Sequence, residues 1–341
     1  MKLPRPSRAT IGPMLHSAFR RCALLFACLF VSSTAQAAEL VTVGTVAPKH
    51  SIWGRVFGVW EQAVAKKSDG KLELKVFYNA TQGDDGAMIG KLKAGQLDAA
   101  AVSSIGLAQI HKPVLVLQMP GVFRSWDALD KARAALKPEF DKAFAKEGFV
   151  VGWGDLGRLR GMSRGFAVRK PGDLRGRKVL NFRNDVIGPT VYQVVDGATV
   201  VPASASEILP LLKKKNLDVI SAPSLAAEQL QWAPELDHIG KDSTVIAIGG
   251  MVWSKKRLDG LPGDLRKILE DTGKVAEDAL RKKIRNEDDL AFDRLSKKMT
   301  VVELSDAERE VWKGVFKRVI ARLKQGTFEP DLVDRVVGMS G

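Results

Sequence analysis

Residues 41–102 read VTVGTVAPKH SIWGRVFGVW EQAVAKKSDG KLELKVFYNA TQGDDGAMIG KLKAGQLDAA AV. Three runs in this segment have the composition of β-strands. Residues 41–46 are rich in β-branched side chains, residues 71–76 alternate apolar with polar ones, and residues 99–102 are small and apolar. A helix-like run separates each of these from the next. This β-α-β-α-β order predicts an α/β fold with a mostly parallel sheet covered by helices.

The two helix-like runs have recognisable beginnings and ends. Ser51 precedes the first run and Gly70 follows it. Its apolar residues recur at helical spacing and are Trp53, Val56, Phe57, Trp60, Ala63 and Val64. The second run begins at Asp84-Asp85 and ends at Gly95. Because acidic residues stabilise a helix N-terminus, we interpret the adjacent aspartates as helix caps rather than as paired catalytic carboxylates.

One part of this segment recurs later in the chain. Residues 92–102, LKAGQLDAAAV, resemble residues 212–222, LKKKNLDVISA, at an offset of 120 residues. Both copies contain a helix end, a short turn, a Leu-Asp pair and an apolar strand. Two copies of one supersecondary unit predict two α/β lobes of similar build, although turns of this kind share enough chemistry to look alike by chance.

The rest of the chain contains further strands and two long helices. Apolar runs at residues 149–153, 166–168 and 244–253 predict strands, so the chain passes between the two lobes more than once. From Leu261 onward the spacing of apolar residues predicts a long helix with a charged face. Ser305 and Glu308 form a capping-box pattern at the start of another helix.

The first 37 residues have the pattern of a secretory signal peptide. Five basic residues and no acidic ones precede an apolar stretch at residues 22–31, and the small-x-small triplet Ala35-Gln36-Ala37 follows. We predict cleavage after Ala37 and a periplasmic location. An uncleaved anchor and a lipoprotein modified at Cys28 are less favoured alternatives. No other stretch is apolar enough to approach a membrane, which excludes a channel or a transporter with several spans.

Cleavage would change the charge and the cysteine content. The full chain has 341 residues, 53 Lys and Arg, 39 Asp and Glu and two cysteines; without residues 1–37 its formal charge falls from +14 to +9, and no cysteine is left. The mature protein therefore excludes disulfides and thiolate chemistry. We interpret the positive charge as a solvated basic surface, with no nucleic-acid partner.

Motifs that would indicate an enzyme are absent or incomplete. Residues 152–157, GWGDLG, match G-x-G-x-x-G, but the arginine-rich residues 158–164 that follow do not form the amphipathic helix that a dinucleotide site needs. We interpret them as a glycine-rich crossover between lobes. His50, His111 and His238 lack metal-ligand spacing, and no Gly-x-Ser-x-Gly motif occurs. We predict no enzyme activity, no cofactor and no metal, although a triad assembled from distant segments stays open.

Several motifs, taken in order, carry a family resemblance. The chain resembles the DctP-like solute-binding proteins of TRAP (tripartite ATP-independent periplasmic) transporters. The matching pieces are Ala47-Pro48 with Ser51 and Trp53, residues 68–72 (SDGKL), 82–85 (QGDD), 95–98 (GQLD), 171–178 (PGDLRGRK) and 197–202 (GATVVP), and Ser206-Glu207.

This resemblance implies a two-lobe, type II periplasmic-binding fold with crossover strands between the lobes and a long helix across both. It implies that a ligand binds in the cleft and that the partner is a membrane permease driven by an ion gradient. We assign residues 38–162 plus 251–290 to lobe I, and residues 163–250 plus 291–341 to lobe II.

The chain departs from the family pattern at the carboxylate clamp. The positions of two family arginines fall on Leu180 and near Phe166, that of an asparagine on Ala222, and that of an aromatic residue on Ala205. The resemblance therefore favours a hydrophobic or amphipathic ligand, because a buried carboxylate without donors is costly. It is nearest to a TatP-like branch of lipoproteins, which a TPR-type helper protein accompanies.

Two alternatives to a transported apolar ligand stay open. Arginines at positions 158, 160, 164 and 183 lie nearby in sequence and would suit a small organic acid, although strand alternation disfavours Arg183. The protein would otherwise be a sensory or interaction subunit that binds a ligand without transport. The predicted ligand-binding residues are Phe166, Leu180, Ala205, Ala222, Ser103, Ser104, Trp153, Arg158 and Arg160.

Overall fold

Nine strands form one continuous sheet in the computed structural model, which describes Met1 and residues 37–340. The predicted signal peptide, with its cleavage site and the alternative lipid site, lies outside the described residues apart from its two end residues. The strands are β1 (Glu39–Thr45), β2 (Leu72–Phe77), β3 (Ala99–Ser103), β4 (Phe149–Ser163), β5 (Lys178–Phe182), β6 (Thr199–Ala203), β7 (Val219–Pro223), β8 (His238–Ser254) and β9 (Thr300–Val302). Their order is β2-β1-β3-β8-β4-β7-β5-β6, and β9 pairs with β8.

Helices cover this sheet along its length. They are α1 (Ile52–Lys67), α2 (Asp85–Lys93), α3 (Ser104–Ala108), α4 (Trp126–Lys146), α5 (Ile187–Val195), α6 (Ala205–Lys213), α7 (Ser224–Gln229), α8 (Lys255–Asp259), α9 (Gly263–Ser296), α10 (Asp306–Lys324) and α11 (Pro330–Gly338). The side chains of Ser51, Asp84 and Ser305 cap α1, α2 and α10 as their sequence positions predict. Short 3-10 helices lie at Lys112–Gln118, Pro171–Leu174 and Ala233–Glu235.

The sheet has two parallel halves joined by two long antiparallel strands. Strands β1, β2 and β3 are parallel in one half, and β5, β6 and β7 are parallel in the other. Strands β4 and β8 pair from Phe149↔Ser254 to Ser163↔His238. β3 joins one end of β8 and β7 joins the opposite end of β4, so β4 and β8 each extend through both halves.

Helix α9 is the long helix that the sequence predicts. It has 34 residues and connects elements that are far apart in the sheet. At one end Thr272 Oγ1 accepts a hydrogen bond of 3.1 Å from Trp60 Nε1 of α1. At the other end the buried Asp288 accepts hydrogen bonds from the backbone N–H groups of Arg158 in β4 (2.7 Å) and Leu225 in α7 (3.0 Å).

The internal repeat is visible in the backbone. The turns that follow α2 and α6 each contain a residue with left-handed backbone conformation. It is Gly95 with φ +70° after α2 and Lys215 with φ +56° after α6. After each turn a Leu-Asp pair leads into a buried strand, β3 or β7. The two copies thus occupy equivalent positions in the two halves of the sheet.

One predicted strand is wrong. Residues 166–168 lie in an irregular loop after β4, because Gly165 turns the chain with φ +77° and local bonds hold the loop. Ser163 Oγ donates a 2.5 Å hydrogen bond to the carbonyl of Phe166, and the guanidinium carbon of Arg177 lies 4.0 Å from the centre of the Phe166 ring.

The glycine-rich residues 152–157 lie inside β4, which continues to Ser163 and has a register shift between Asp155 and Gly157. The lobe boundaries stay a prediction; α9 continues across the one at residues 290 and 291. Among the described residues, no helix combines the length and the apolar character needed to span a bilayer.

Candidate functional site

A large cavity lies where the carboxyl ends of the parallel strands from the two halves meet. Its volume is about 1680 Å³. Thr45 at the end of β1, Ser103 at the end of β3, Phe182 at the end of β5 and Ala203 at the end of β6 all line it. Open α/β sheets bind their ligands at this edge, so the cavity is the candidate ligand site.

The two halves of the sheet approach each other closely at the cavity. A Cβ atom built on Gly86, in the first turn of α2, would lie 3.7 Å from Nδ2 of Asn184, which follows β5. Both residues line the cavity. Groups from both halves can therefore contact one small ligand.

The structure brings eight of the nine predicted ligand-binding residues to the cavity wall. They are Leu180, Ala205, Ala222, Ser103, Ser104, Trp153, Arg158 and Arg160. Phe166 is not among the lining residues and packs beneath Arg177 in the loop after β4. A role in binding stays a prediction for all nine.

The serines and the tryptophan have protein partners of their own. Ser104 Oγ donates to Gln118 Oε1 (3.1 Å), and Ser103 donates through both N–H (3.1 Å) and Oγ to Asp85 Oδ2. Trp153 packs beside the rings of Phe140 and Phe144 of α4. These contacts shape the wall and engage both serine hydroxyls, whereas the indole N–H of Trp153 has no hydrogen-bond partner among the described residues.

Arg160 is a buried cation at the cavity. Its residue is 7% exposed, and no carboxylate in the described part of the chain lies within ion-pair distance of its guanidinium. Nη1 donates to the carbonyl of Lys241. Within residues 37–340, Nε and Nη2 make no hydrogen bond. These two atoms form the edge of a guanidinium that can bind a carboxylate through two parallel hydrogen bonds.

The surroundings of Arg160 hold it in place without neutralising it. The centre of the Phe292 ring in α9 lies 4.0 Å from its guanidinium carbon, a cation–π contact. Asp288 lies near enough to act on it electrostatically, but both of its carboxylate oxygens accept backbone hydrogen bonds. Burial lowers the pKa of Arg160, because removal from water disfavours the charged form.

The other candidate arginines are already engaged. Arg164 donates to the carbonyls of Glu235 (2.8 Å) and Leu212 (2.6 Å) and does not line the cavity. Arg183 lies beyond the end of β5, so strand alternation does not apply to it; it lines the cavity and forms a 2.7 Å ion pair with Glu207.

Arg158 makes three contacts at the cavity wall. Its Nη1 donates to the carbonyl of Arg124 (3.1 Å), and its guanidinium lies over the ring of Trp126. The carboxylate of Asp289 lies 4.0 Å from its Nε. Arg160 is therefore the least engaged of the four arginines.

Two buried carboxylates at the cavity were not predicted as site residues. Burial raises the pKa of Asp85, whose Oδ1 is enclosed without a hydrogen-bond partner among the described residues. Burial also raises the pKa of Asp185, although its carboxylate accepts hydrogen bonds from the N–H groups of Ile187 (2.9 Å) and Gly188 (3.1 Å). The Asp84-Asp85 pair was a visible signal, but the interpretation of both as helix caps is correct only for Asp84, because the carboxylate of Asp85 accepts hydrogen bonds from Ser103 instead.

A charge network beside the cavity serves the fold. Asp155 of β4 is 2% exposed and accepts hydrogen bonds of 2.7 Å from Arg133 of α4 and from Arg285 of α9. Arg285 also pairs with Asp130, which holds the pKa of that carboxyl below its usual range despite the opposing effect of burial. The network fastens β4 to two helices.

The arrangement fits binding better than a reaction. In the described part of the chain, no group of three or more His, Cys, Asp or Glu side chains is placed to hold a metal ion. His238 is bonded to the neighbouring Asp237, and His111 packs against Phe140 and Phe144. Neither histidine is bonded to a hydroxyl that it could activate as a nucleophile.

Comparisons with known proteins agree with this picture. The family model described as bacterial extracellular solute-binding protein, family 7 (DctP) matches residues 43–326. A protein named solute-binding protein from Verminephrobacter eiseniae is 24% identical over 321 residues, which cover 91% of this chain and 90% of that protein.

Two solved structures share the fold. A TRAP periplasmic solute-binding protein from Sulfurospirillum deleyianum with bound succinate has a TM-score of 0.82 at 19% identity, covering 88% of this chain and 98% of that one. The sugar acid binding protein DctPAm from Advenella mimigardefordensis in complex with galactonate has a TM-score of 0.83 at 20% identity, covering 89% and 98%. The predicted two-lobe α/β fold is thereby confirmed.

Proposed function

Because the chain belongs to bacterial extracellular solute-binding protein family 7, the DctP family, we propose that it binds a small organic acid in its cavity and that Arg160 binds the carboxylate. The family comprises periplasmic solute-binding proteins of TRAP transporters, so the chain is a solute-binding protein and not an enzyme. Its ligand and the way it is held are the open questions.

The state of Arg160 is the observation that carries this proposal. A buried guanidinium without a counter-charge is costly, and a ligand carboxylate would supply both the charge and acceptors for Nε and Nη2. The structural neighbours support it, since their titles state bound succinate and galactonate, both of which are organic acids.

The proposed organic acid differs from the hydrophobic or amphipathic ligand that the sequence favours. That apolar ligand is suggested by Leu180, Ala205 and Ala222, which stand where the family has polar residues. Among the arginines considered as replacements, Arg160 alone is both buried and free of a carboxylate partner in the described residues. An uncharged apolar ligand would leave that cation without a counter-charge.

The family also bears on partners and location. It implies a small-molecule solute, TRAP membrane components and a periplasmic setting. Within the proposal, the permease is driven by an ion gradient and a cleaved signal peptide exports the chain. A TPR-type helper and membership of the TatP-like branch stay predictions from the resemblance alone.

Titration of purified wild-type protein and of an Arg160→Gln variant with a panel of organic acids tests the proposal. We expect the best-binding acid to lose between about tenfold and 150-fold in affinity, the value of a charged hydrogen bond. Arg177→Gln is the matched control, because Arg177 has the same 4.0 Å stacking on a phenylalanine but lies outside the cavity lining. Equal affinities in wild type and Arg160→Gln would contradict the proposal.

A further inference from the structure

The wall next to Arg160 is apolar. Arg160 in β4 lies directly opposite Ala222 in the β4–β7 register. Ala222 and Leu180 belong to one apolar cluster of the core, and Phe292, which stacks on Arg160, packs against it. The members of this cluster that line the cavity are Leu180, Phe182, Ala203, Ala205, Ile220, Ala222, Ala226, Leu230 and Trp232. We call the alanines and leucines among them the alanine wall; they are Leu180, Ala203, Ala205, Ala222, Ala226 and Leu230.

Most polar groups beside the alanine wall already have partners, although Oδ1 of Asn181 is buried without one among the described residues. Ser204 Oγ donates to Glu207 (2.7 Å), and Tyr192 donates its hydroxyl to the carbonyl of Leu180 (2.7 Å). Asn181 donates to the carbonyl of Phe182 (2.9 Å), and its Oδ1 lies only 1.9 Å from where a Cβ of Gly188 would be, so it is packed against α5. A ligand rich in hydroxyl groups would lose its hydrogen bonds to water here and would form few hydrogen bonds to the protein in return.

On the β5 side of this wall a second carboxylate would meet an arginine that is already ion-paired, although Arg158 of β4 also lines the cavity. Arg183, the cavity-lining arginine that follows β5, is neutralised by Glu207. Burying an unpaired second carboxylate against alanine and leucine would cost several kcal/mol. The wall thus disfavours dicarboxylates as well as polyols.

We infer that the ligand is a monocarboxylate with an apolar body, its carboxylate on Arg160 and its aromatic or branched aliphatic part against the alanine wall. This inference rests on the proposed function, because it takes Arg160 as the carboxylate site. The four alanine side chains of the wall are small, so they leave space that larger side chains would occupy. The protein surface that faces this space is hydrocarbon. Burying about 100 Å² of hydrocarbon surface there favours such a ligand by roughly 50-fold.

Calorimetric titration of purified protein, freed of co-purified ligand by unfolding and refolding, tests the inference. The probes are phenylacetate, 4-methylpentanoate, succinate and galactonate, with neutral phenylacetamide as the matched control for charge. We expect both apolar acids to bind at least about tenfold more tightly than succinate and galactonate. Phenylacetamide should bind at least about tenfold more weakly than phenylacetate.

The outcomes separate the two proposals. If succinate or galactonate binds more tightly than the apolar acids and loses affinity in Arg160→Gln, the apolar body is wrong and the proposed function stands. If phenylacetamide binds as tightly as phenylacetate, the carboxylate role of Arg160 is wrong. If refolded protein with a cooperative thermal transition binds none of the four acids, both are wrong.

Discussion

Asp98 and Asp218, 120 residues apart, make the same bond in the two halves of the sheet. Oδ2 of Asp98 accepts a 2.8 Å hydrogen bond from the backbone N–H of Thr42 in β1, and Oδ2 of Asp218 accepts one of 2.8 Å from that of Lys178 in β5. Each aspartate therefore fixes the start of its strand against a parallel neighbour. The two copies of the internal repeat therefore share this aspartate-to-backbone hydrogen bond as well as the helix–turn–strand backbone.

Asp98→Ala and Asp218→Ala should both destabilise the protein, and Asp98→Ala by at least as much, because Asp98 also accepts a 2.9 Å hydrogen bond from Thr42 Oγ1 and lies 3.4 Å from Arg257 Nε. Each variant leaves a strand N–H without its partner, which costs about 1–2 kcal/mol. Chemical denaturation measures the loss. Glu73→Ala is the control, because Glu73 is exposed on β2 and bonds to nothing in the described residues. A large loss in only one of the two aspartate variants would contradict the equivalence.

Gly157→Ala should destabilise the protein, whereas Gly161→Ala in the same strand should not. Gly157 has φ +123°, and a Cβ there would lie 2.6 Å from Oδ1 of the buried Asp288. Strain and clash together should cost at least about 1–3 kcal/mol. Gly161 has no atom within 4 Å of its Cβ position. Thermal unfolding compares the pair, and equal transition temperatures would show that β4 does not need a glycine at position 157.

Asp155→Asn should be more damaging than loss of a surface ion pair. Removing the charge of Asp155 leaves Arg133 and Arg285 with only the more exposed Asp130 as a shared counter-charge, at a cost of about 3 kcal/mol. Asp271→Asn breaks the exposed Lys267–Asp271 pair of α9 and should change stability by at most about 0.5 kcal/mol. Urea denaturation of both variants checks the contrast; comparable losses would refute a special role for Asp155.

Glu207 makes stability depend on pH in the acid range. Hydrogen bonds from the Ser204 backbone, from Arg183 and from the Ser204 hydroxyl lower the pKa of Glu207 from 4.5 to about 2. Because the folded-state pKa is lowered, its contribution is complete above pH 4.5 and is lost as the pH falls from 4.5 through about 2. The side chain is partly exposed, so screening limits the effect to about 1 kcal/mol.

Glu207→Gln should remove that dependence. The difference in melting temperature between wild type and variant should be largest near neutral pH and should shrink below pH 4.5. A difference that stays constant from pH 7 to pH 3 would mean that ionisation of Glu207 does not stabilise α6.

A polar residue at the alanine wall should change ligand preference. Ala205→Asn adds two donors and an acceptor to a half-buried position of the cavity, so succinate and galactonate should gain between about twofold and tenfold relative to phenylacetate. Ala167→Asn, half-buried in the loop outside the cavity lining, is the control. Unchanged relative affinities in Ala205→Asn would place the ligand elsewhere in the cavity.

Much of the fold was predictable because short sequence patterns indicate the same helix ends and turns that the folded chain contains. The caps at Ser51, Asp84 and Ser305, the turns after α2 and α6 and the length of α9 all follow from short-range patterns. The prediction of a strand at residues 166–168 failed because contacts with Arg177 and with α10 hold that loop: Trp312 donates its indole N–H to the carbonyl of Arg169. Such contacts join residues far apart in sequence.

The site was predictable in place but not in detail. Alignment to the family pattern brought Leu180, Ala205 and Ala222 to the cavity wall, yet it also selected Phe166, which lies outside that wall. The sequence places Arg160 among the predicted ligand-binding residues and Arg164 among the nearby arginines, but it does not show how either guanidinium is bonded. Only the folded chain shows that Arg164 lies outside the cavity lining and bonds to two backbone carbonyls, whereas Arg160 lines the cavity with two nitrogens that have no partner among the described residues.

The short distance between Gly86 and Asn184 provides a way to measure how far the two sides of the cavity separate. Because residues 38–341 lack cysteine, a protein without residues 1–37 would carry only the two thiols introduced at these positions. Oxidative cross-linking would then hold these two positions together. Paired spin labels would measure how far they separate when the ligand dissociates.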